Sequence, residues 1–212
     1  MKVFKFGGAS IKSAEAVKNM CRIVKNHSTE KLLVVVSAMG KTTNKLEIIV
    51  DKCIRKNDFQ ANLEELHKFH LAICHELFTA EDEVEKSVNE LISALRSELM
   101  KIYSSNELYD QVVSYGELLS SLIISRFLQK TGVITELVDS RKMISTNSTF
   151  KNAQVHWELT QKNIDSLSPT LVNRTILTQG FLGGTENGRT TTLGREGSDY
   201  SAAIFAACLN AQ

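Results

Sequence analysis

A layered α/β fold with a mainly parallel sheet is what this chain predicts, on three observations. KVFKF at 2–6 runs through a glycine turn into a helical pattern, and the same unit repeats from KLLVVVSAM at 31–39. Strand character then returns at 133–140 and 174–181, after a long helical stretch. With 212 residues and 42% hydrophobic content, the chain can bury a substantial core, enough for one domain or a domain with a small appendage.

Residues 2–6 read as a short buried strand. SAEAVKNMCRIVKNH, 13–27, carries Val17, Met20, Cys21 and Val24 at i, i+3, i+4, i+7 spacing, which places them on one face of a helix. The β-branched run in 31–39 is of the kind buried on both faces of a parallel sheet. The helix after it sets Leu46, Ile49, Val50 and Cys53 on one side.

From about 58 to 130 the spacing predicts three long helices, a helical insertion in the sheet. Their stripes are Leu63, Leu66, His70, Ile73 and Leu77; then Val84, Val88, Leu91, Leu95, Leu99 and Ile102; then Leu108, Val112, Leu119 and Ile123. Thr79, with Asp82 three residues on, predicts an N-terminal cap for the second helix. A short helix is expected from Trp157 to Leu167, ending at Pro169. The glycine- and threonine-rich stretch GGTENGRTTTLGREGSD, 183–199, reads as a connection into a small-residue helix, SAAIFAACLNA, suited to close packing on a sheet. No internal repeat, low-complexity tract or linker interrupts the chain.

The 25 basic and 24 acidic residues give a formal charge of +1. No field of that size argues for nucleic acid or an anionic membrane, so small-molecule work is the expectation. Twelve acidic but four basic residues fall within 58–110, which a solvated face or an interface would each explain. Cys21, Cys53, Cys74 and Cys208 are widely spaced and form no C-x-x-C pair, predicting reduced, buried thiols. His67, His70, Cys74 and His75 share a helix face but lack a framework that would complete a metal site. With no signal-like or membrane-length apolar run, a cytoplasmic protein is expected.

Four stretches can carry chemistry. In KFGGAS, 5–10, two glycines remove the Cβ atoms that keep a ligand from the backbone, and Lys5 adds a mobile charge. A tight turn beside a solvated lysine reads the same stretch without a ligand. It is neither G-x-G-x-x-G nor G-x-x-x-x-G-K-[ST], because Lys5 precedes the glycines. In SAMGKTTN, 37–44, Ser37 ends a buried strand where open α/β sheets bind ligands, although Thr42 or Thr43 also suits a helix cap. In SYGELL, 114–119, Gly116 interrupts a helical pattern at a cost of about 1 kcal/mol. Glu117 beside it suits either solvent or a ligand ammonium. In TTTLGREGSDYSAA, 190–203, a flexible turn precedes a guanidinium able to clamp a carboxylate, and Ser198 and Asp199 stand at a helix start. Capping explains that start but not the threonines crowded before it.

Together KFGGAS, SAMGKTTN, YGELLS and TQGF followed by GRTTTLGREGSDYSAA resemble the aspartate kinases of the amino-acid kinase superfamily, in the family's order and across nearly the whole chain. The resemblance implies an α/β/α sandwich with a mainly parallel sheet. It implies transfer of the γ-phosphoryl group of ATP, bound with Mg²⁺, to the side-chain carboxylate of L-aspartate. The product is 4-phospho-L-aspartate, on the route to lysine, threonine and methionine. By position it implies that Lys5 neutralises phosphate charge while Phe6, Gly7 and Gly8 present backbone to the phosphates, with Ser10 close by. Ser37 and Thr43 would line the aspartate pocket, Glu117 hold the α-ammonium and Arg195 the α-carboxylate. Ser198 would assist, Phe181 lie nearby, and Asp199 orient Lys5 and the transferring group. A homo-oligomer is implied for the full-length protein.

Two departures bear on that resemblance. Ala9 stands where the family usually has threonine, and Glu196 where it often has a second glycine. The family also continues past the helix at 198–211 with strands for the nucleotide base and then with regulatory domains. Residues 1–212 are therefore expected to be the N-terminal, substrate-side part of a longer kinase, weak in ATP binding and poor in turnover alone. Another amino-acid kinase, for glutamate, acetylglutamate or carbamate, is the alternative enzyme. A non-catalytic module of the same fold is the alternative of another class.

Overall fold

The structure is a computed structural model and describes residues 1–211. Four strands, β1 (Lys2–Phe6), β2 (Leu32–Val36), β3 (Thr135–Val138) and β4 (Thr175–Gln179), form a parallel sheet in the order β1-β2-β4-β3. One face carries α1 (Ala14–Asn26), α2 (Thr42–Ile54), α3 (Gln60–Leu77), α4 (Val84–Glu98), α5 (Ser105–Val113) and α6 (Tyr115–Lys130). The other carries the short α7 (Ser140–Met143), α8 (Trp157–Asp165) and α9 (Gly197–Cys208). Between α8 and α9 in sequence lies an antiparallel hairpin, β5 (Leu182–Gly184) with β6 (Thr190–Thr192). The result is the three-layer α/β/α arrangement with a parallel sheet.

β2 explains the layering. Its side chains alternate faces: Leu32, Val34 and Val36 join the core under α1–α6, while Leu33 and Val35 join Ile164, Ile204 and Phe205. All five are buried, each stabilising the fold by about 1.5–3 kcal/mol relative to exposure. A run with no polar residue is what a strand covered on both faces requires.

The structure corrects several expectations. The third long helix is two helices, broken at Ser114, so Gly116 stands in the first turn of α6 rather than within one continuous helix. α4 ends at Glu98, and Ile102 lies beyond it, fully exposed. Thr79 and Asp82 do form a capping box, but on a single 3-10 turn, Ala80–Asp82, ahead of α4. α8 ends at Asp165, before Pro169, and α7 has no counterpart in the expectations. The stretch at 183–199 is more than a connection, because β5 and β6 build a hairpin whose strands are wholly buried.

That hairpin accounts for the threonine run. Thr190 Oγ1 accepts from Arg141 at 3.3 Å, the Thr191 hydroxyl shares a 2.6 Å hydrogen bond with that of Thr146, and Thr192 Oγ1 donates to Asp110 at 2.7 Å. β-branched residues favour a strand, and each hydroxyl meets a partner, a buried one for Thr191 and Thr192 and the half-buried Arg141 for Thr190.

Candidate active site

A cleft of about 290 Å³ opens at the carboxyl ends of β1, β2 and β4. Strand ends converge there because the ladder continues into the loops. Ser37 N donates to Phe6 O at 3.1 Å, Gly180 N to Val36 O at 2.8 Å, and Gly40 N to Gly8 O at 3.0 Å. Nine of the predicted residues line the cleft: Lys5, Gly7, Gly8, Ser37, Thr43, Glu117, Phe181, Ser198 and Asp199.

Three predicted residues stand apart from it. Phe6 ends β1 and packs on the larger core, contributing its carbonyl to the Ser37 bond. Ser10 is exposed on the 3-10 turn Gly8–Ile11. Arg195 is directed to solvent, its side chain 94% exposed and only 3.9 Å from Glu196 as an ion pair. An exposed pair at that distance contributes little, so nothing strong holds the guanidinium outward.

The turn after β1 tolerates no side chain at its second glycine. A Cβ on Gly8 would lie 2.7 Å from Ala38 O and 2.9 Å from Gly40 O. Gly7 is open by comparison, since a Cβ there would approach Lys5 Nζ at 3.4 Å. Lys5 Nζ is paired with Asp199 Oδ1 at 2.8 Å, joining the first strand to the first turn of α9. This cradle of bare backbone with one cation fits an oxyanion such as a phosphate.

Glu117 is the unusual charge. It is buried, and its Oε1 accepts from Ala38 N at 3.0 Å while Oε2 has no partner among the described residues. Burial pushes its carboxyl up to about 8, against the smaller opposing effect of the Ala38 bond. It reaches Ala38 because Gly116 brings α6 against the turn after β2. A Cβ on Gly116 would lie 2.8 Å from Ala38 Cβ, which answers why a glycine stands there.

Glu196 also lines the cleft, with a φ of +56°, and it precedes the first residue of α9. Ser198 and Asp199 are thus inside the helix rather than caps. Phe181 is likewise left-handed, at φ +67°, held by its N–H to Ser201 Oγ at 2.9 Å and its carbonyl from Leu193 N at 2.9 Å. Sequence reasoning missed the part of Ala38, whose backbone N–H carries no side-chain signal. It also left Gly194 and Gly197 without roles, although both flank Arg195 in LGREGS.

Around one cleft, then, a parallel α/β/α sheet gathers a glycine cradle, a lysine and a buried carboxylate. The chain belongs to the amino acid kinase family, whose sequence model matches residues 1–212. Within it the relatives are aspartokinases. The lysine-sensitive aspartokinase 3 of Escherichia coli K12 is 33% identical over 213 residues, covering 99% of this chain and 46% of that protein. The chloroplastic bifunctional aspartokinase/homoserine dehydrogenase 2 of Arabidopsis thaliana is 31% identical over 222 residues, covering 99% and 24%. Two crystal structures of E. coli aspartokinase III superpose over the whole chain at 30% identity. The complex with lysine and aspartate has a TM-score of 0.89, that with aspartate and ADP 0.88, and each is covered to 47%. The chain spans less than half the length of these relatives.

Proposed function

We propose that this chain carries the aspartate and phosphate sites of an aspartate kinase, which moves the γ-phosphoryl group of ATP onto the side-chain carboxylate of L-aspartate. The observation that carries the reading is Glu117 Oε2, a buried carboxylate oxygen beside a cleft and without a partner among the described residues. An isolated buried acid is unfavourable, and a substrate ammonium placed against it removes that penalty.

The remaining roles follow from charge and position. Lys5 and the backbone at Gly7 and Gly8 would take the transferring phosphate, with Asp199 orienting Lys5 through their ion pair. Mg²⁺ would neutralise phosphate charge beside Asp199, a hard oxygen donor of the type that ion takes. Ser37, Thr43, Ser198 and Phe181 would shape the amino-acid side, and Arg195, unrestrained at the surface, would close on the α-carboxylate. Phosphoryl transfer needs positioning and charge neutralisation more than covalent help, and these residues supply both. The rest of the nucleotide site would come from segments outside these residues. The outer edge of β1, unpaired among the described residues, is where further strands could continue the sheet. The isolated chain would then bind ATP weakly and turn over slowly.

Calorimetry of L-aspartate in buffers of different ionisation enthalpy tests the reading. With its carboxyl near 8, Glu117 is largely protonated at pH 7, and a bound ammonium favours the ionised form. Binding at pH 7 is therefore expected to release close to one proton, and the release to fade above pH 9. Glu117→Gln should abolish the release and weaken L-aspartate about 100-fold. Proton-neutral binding, or unchanged affinity in that variant, overturns the assignment. L-Glutamate, N-acetylglutamate and carbamate in the same cell separate the alternative kinases.

A further inference from the structure

Asp110 lies outside the cleft and has no place in the roles above, yet it is the most heavily hydrogen-bonded carboxylate near it. We infer that Asp110 is a positioning residue that bolts the segment running from β6 into α9 onto the α5–α6 helix pair. Its function is to hold Ser198 and Asp199 at a fixed separation from Glu117.

Asp110 is fully buried in α5, seven residues before Glu117. Its Oδ1 accepts from Thr192 Oγ1 at 2.7 Å and from Lys151 N at 3.1 Å. Its Oδ2 accepts from Thr192 N at 2.9 Å and from Lys151 N at 3.0 Å. Every partner is a donor, so the position is made for a group that accepts at both oxygens. Burial pushes the carboxyl up to about 6 and the bonds oppose it, which leaves it ionised at neutral pH.

The four bonds act on two strips of chain that meet at Gly194. Thr192 lies two residues before it in sequence. Lys151 belongs to a turn packed against it: a Cβ on Gly194 would be 2.8 Å from Asn152 Oδ1 and 3.3 Å from Lys151 O. The Thr192 carbonyl accepts from Ala153 N at 3.0 Å, closing the loop, and Gly197 N donates to Gly194 O at 3.1 Å where α9 begins. Asp110 therefore fixes the base of the arm that carries Ser198 and Asp199. α5 also reaches the hairpin farther out, through Gln111 Nε2 to Thr190 O at 2.9 Å and Glu107 to Arg189 at 3.1 Å, but those contacts lie away from Gly194.

The inference rests on the proposed amino-acid site for its functional consequence and on geometry alone for the tether. Hydrogen exchange and L-aspartate calorimetry, both on the 212-residue chain, test the two separately. Asp110→Asn keeps the shape but turns an amide NH₂ toward donors. It should speed exchange of the amides at 151–153 and 190–199 at least tenfold, leave β1 and β2 at the wild-type rate, and weaken L-aspartate about tenfold. Thr192→Val, which retains the carboxylate, should give the same pattern at about threefold, and Thr192→Ser should restore it. Glu107→Gln, at the outer contact, should leave affinity unchanged. If exchange in either variant rises evenly over the whole chain, or if L-aspartate affinity stays at the wild-type value, Asp110 is a stability residue and the inference falls. If the unsubstituted chain does not bind L-aspartate, the substrate reading fails, and the exchange pattern alone decides for or against the tether.

Discussion

The turn after β1 and the segment at 193–199 line the same cleft, but they are built differently. The first follows its strand directly, and its conformation is enforced by backbone carbonyls of the adjacent strand's turn, which leave no room for a Cβ at Gly8. The second depends on side chains brought from as far as 82 residues away, through Asp110 and Thr192, and includes a glutamate held at a positive φ. One wall is rigid because backbone packs on backbone. The other is held by a few buried polar bonds and is the one that substitutions can loosen or tighten.

The sharpest way to break this contrast is at the rigid wall. Gly8→Ala forces a methyl to within 3 Å of two carbonyl oxygens, and neither neighbour is a flexible side chain. A loss of about 3 kcal/mol in urea unfolding is expected, with MgATP binding reduced beyond detection. A midpoint equal to the wild type would show that the turn yields as easily as the other wall.

A smaller effect belongs to Glu117, which lines the same cleft from α6. Folding raises the Glu117 carboxyl from its ordinary value to about 8, so its contribution to stability is full below about pH 4.5 and declines as pH rises toward 8. Glu117→Gln stays neutral throughout and should gain on the wild type by on the order of 2 kcal/mol between pH 5 and 8. Asp110, also raised, titrates in both proteins and cancels in the difference. Parallel stability profiles in urea across that range would remove the buried, ionisable Glu117 from the account.

The smallest effect is at the adjustable wall. Glu196 occupies the left-handed region, which costs a residue with a Cβ about 1–2 kcal/mol, partly offset by the greater unfolded-state entropy of glycine. Glu196→Gly should therefore raise stability by about 0.5–1 kcal/mol and free Arg195 from its weak partner. A thermal midpoint at or below the wild type would mean that Glu196 makes a compensating contact.

Much of this molecule was legible in its sequence because the signals were local and periodic. The β-branched run at 32–36 announced a strand buried on both faces. The alternation of strand and helix announced the layers, and KFGGAS announced a glycine turn after the first strand. The four motifs, in order, led to nine residues that line one cleft. Where the reading failed, the cause was non-local. Ile102 fits the helical stripe, but α4 stops four residues earlier. The threonines at 190–192 looked like a flexible approach to a helix because their partners Arg141, Thr146 and Asp110 lie far off in the chain.

The sequence by itself determined the alternation of strands and helices, the two-faced core and the presence of a turn after β1, since backbone preference and hydrophobic period act between neighbours. Tertiary structure alone decided that Gly8 has no room for a Cβ, that Glu117 is buried with an oxygen unpartnered among the described residues, that Arg195 faces solvent, and that Asp110 ties the arm bearing Ser198 and Asp199 to the helices. Desolvation and hydrogen-bond partnership depend on which distant segments meet, and no local pattern encodes that meeting.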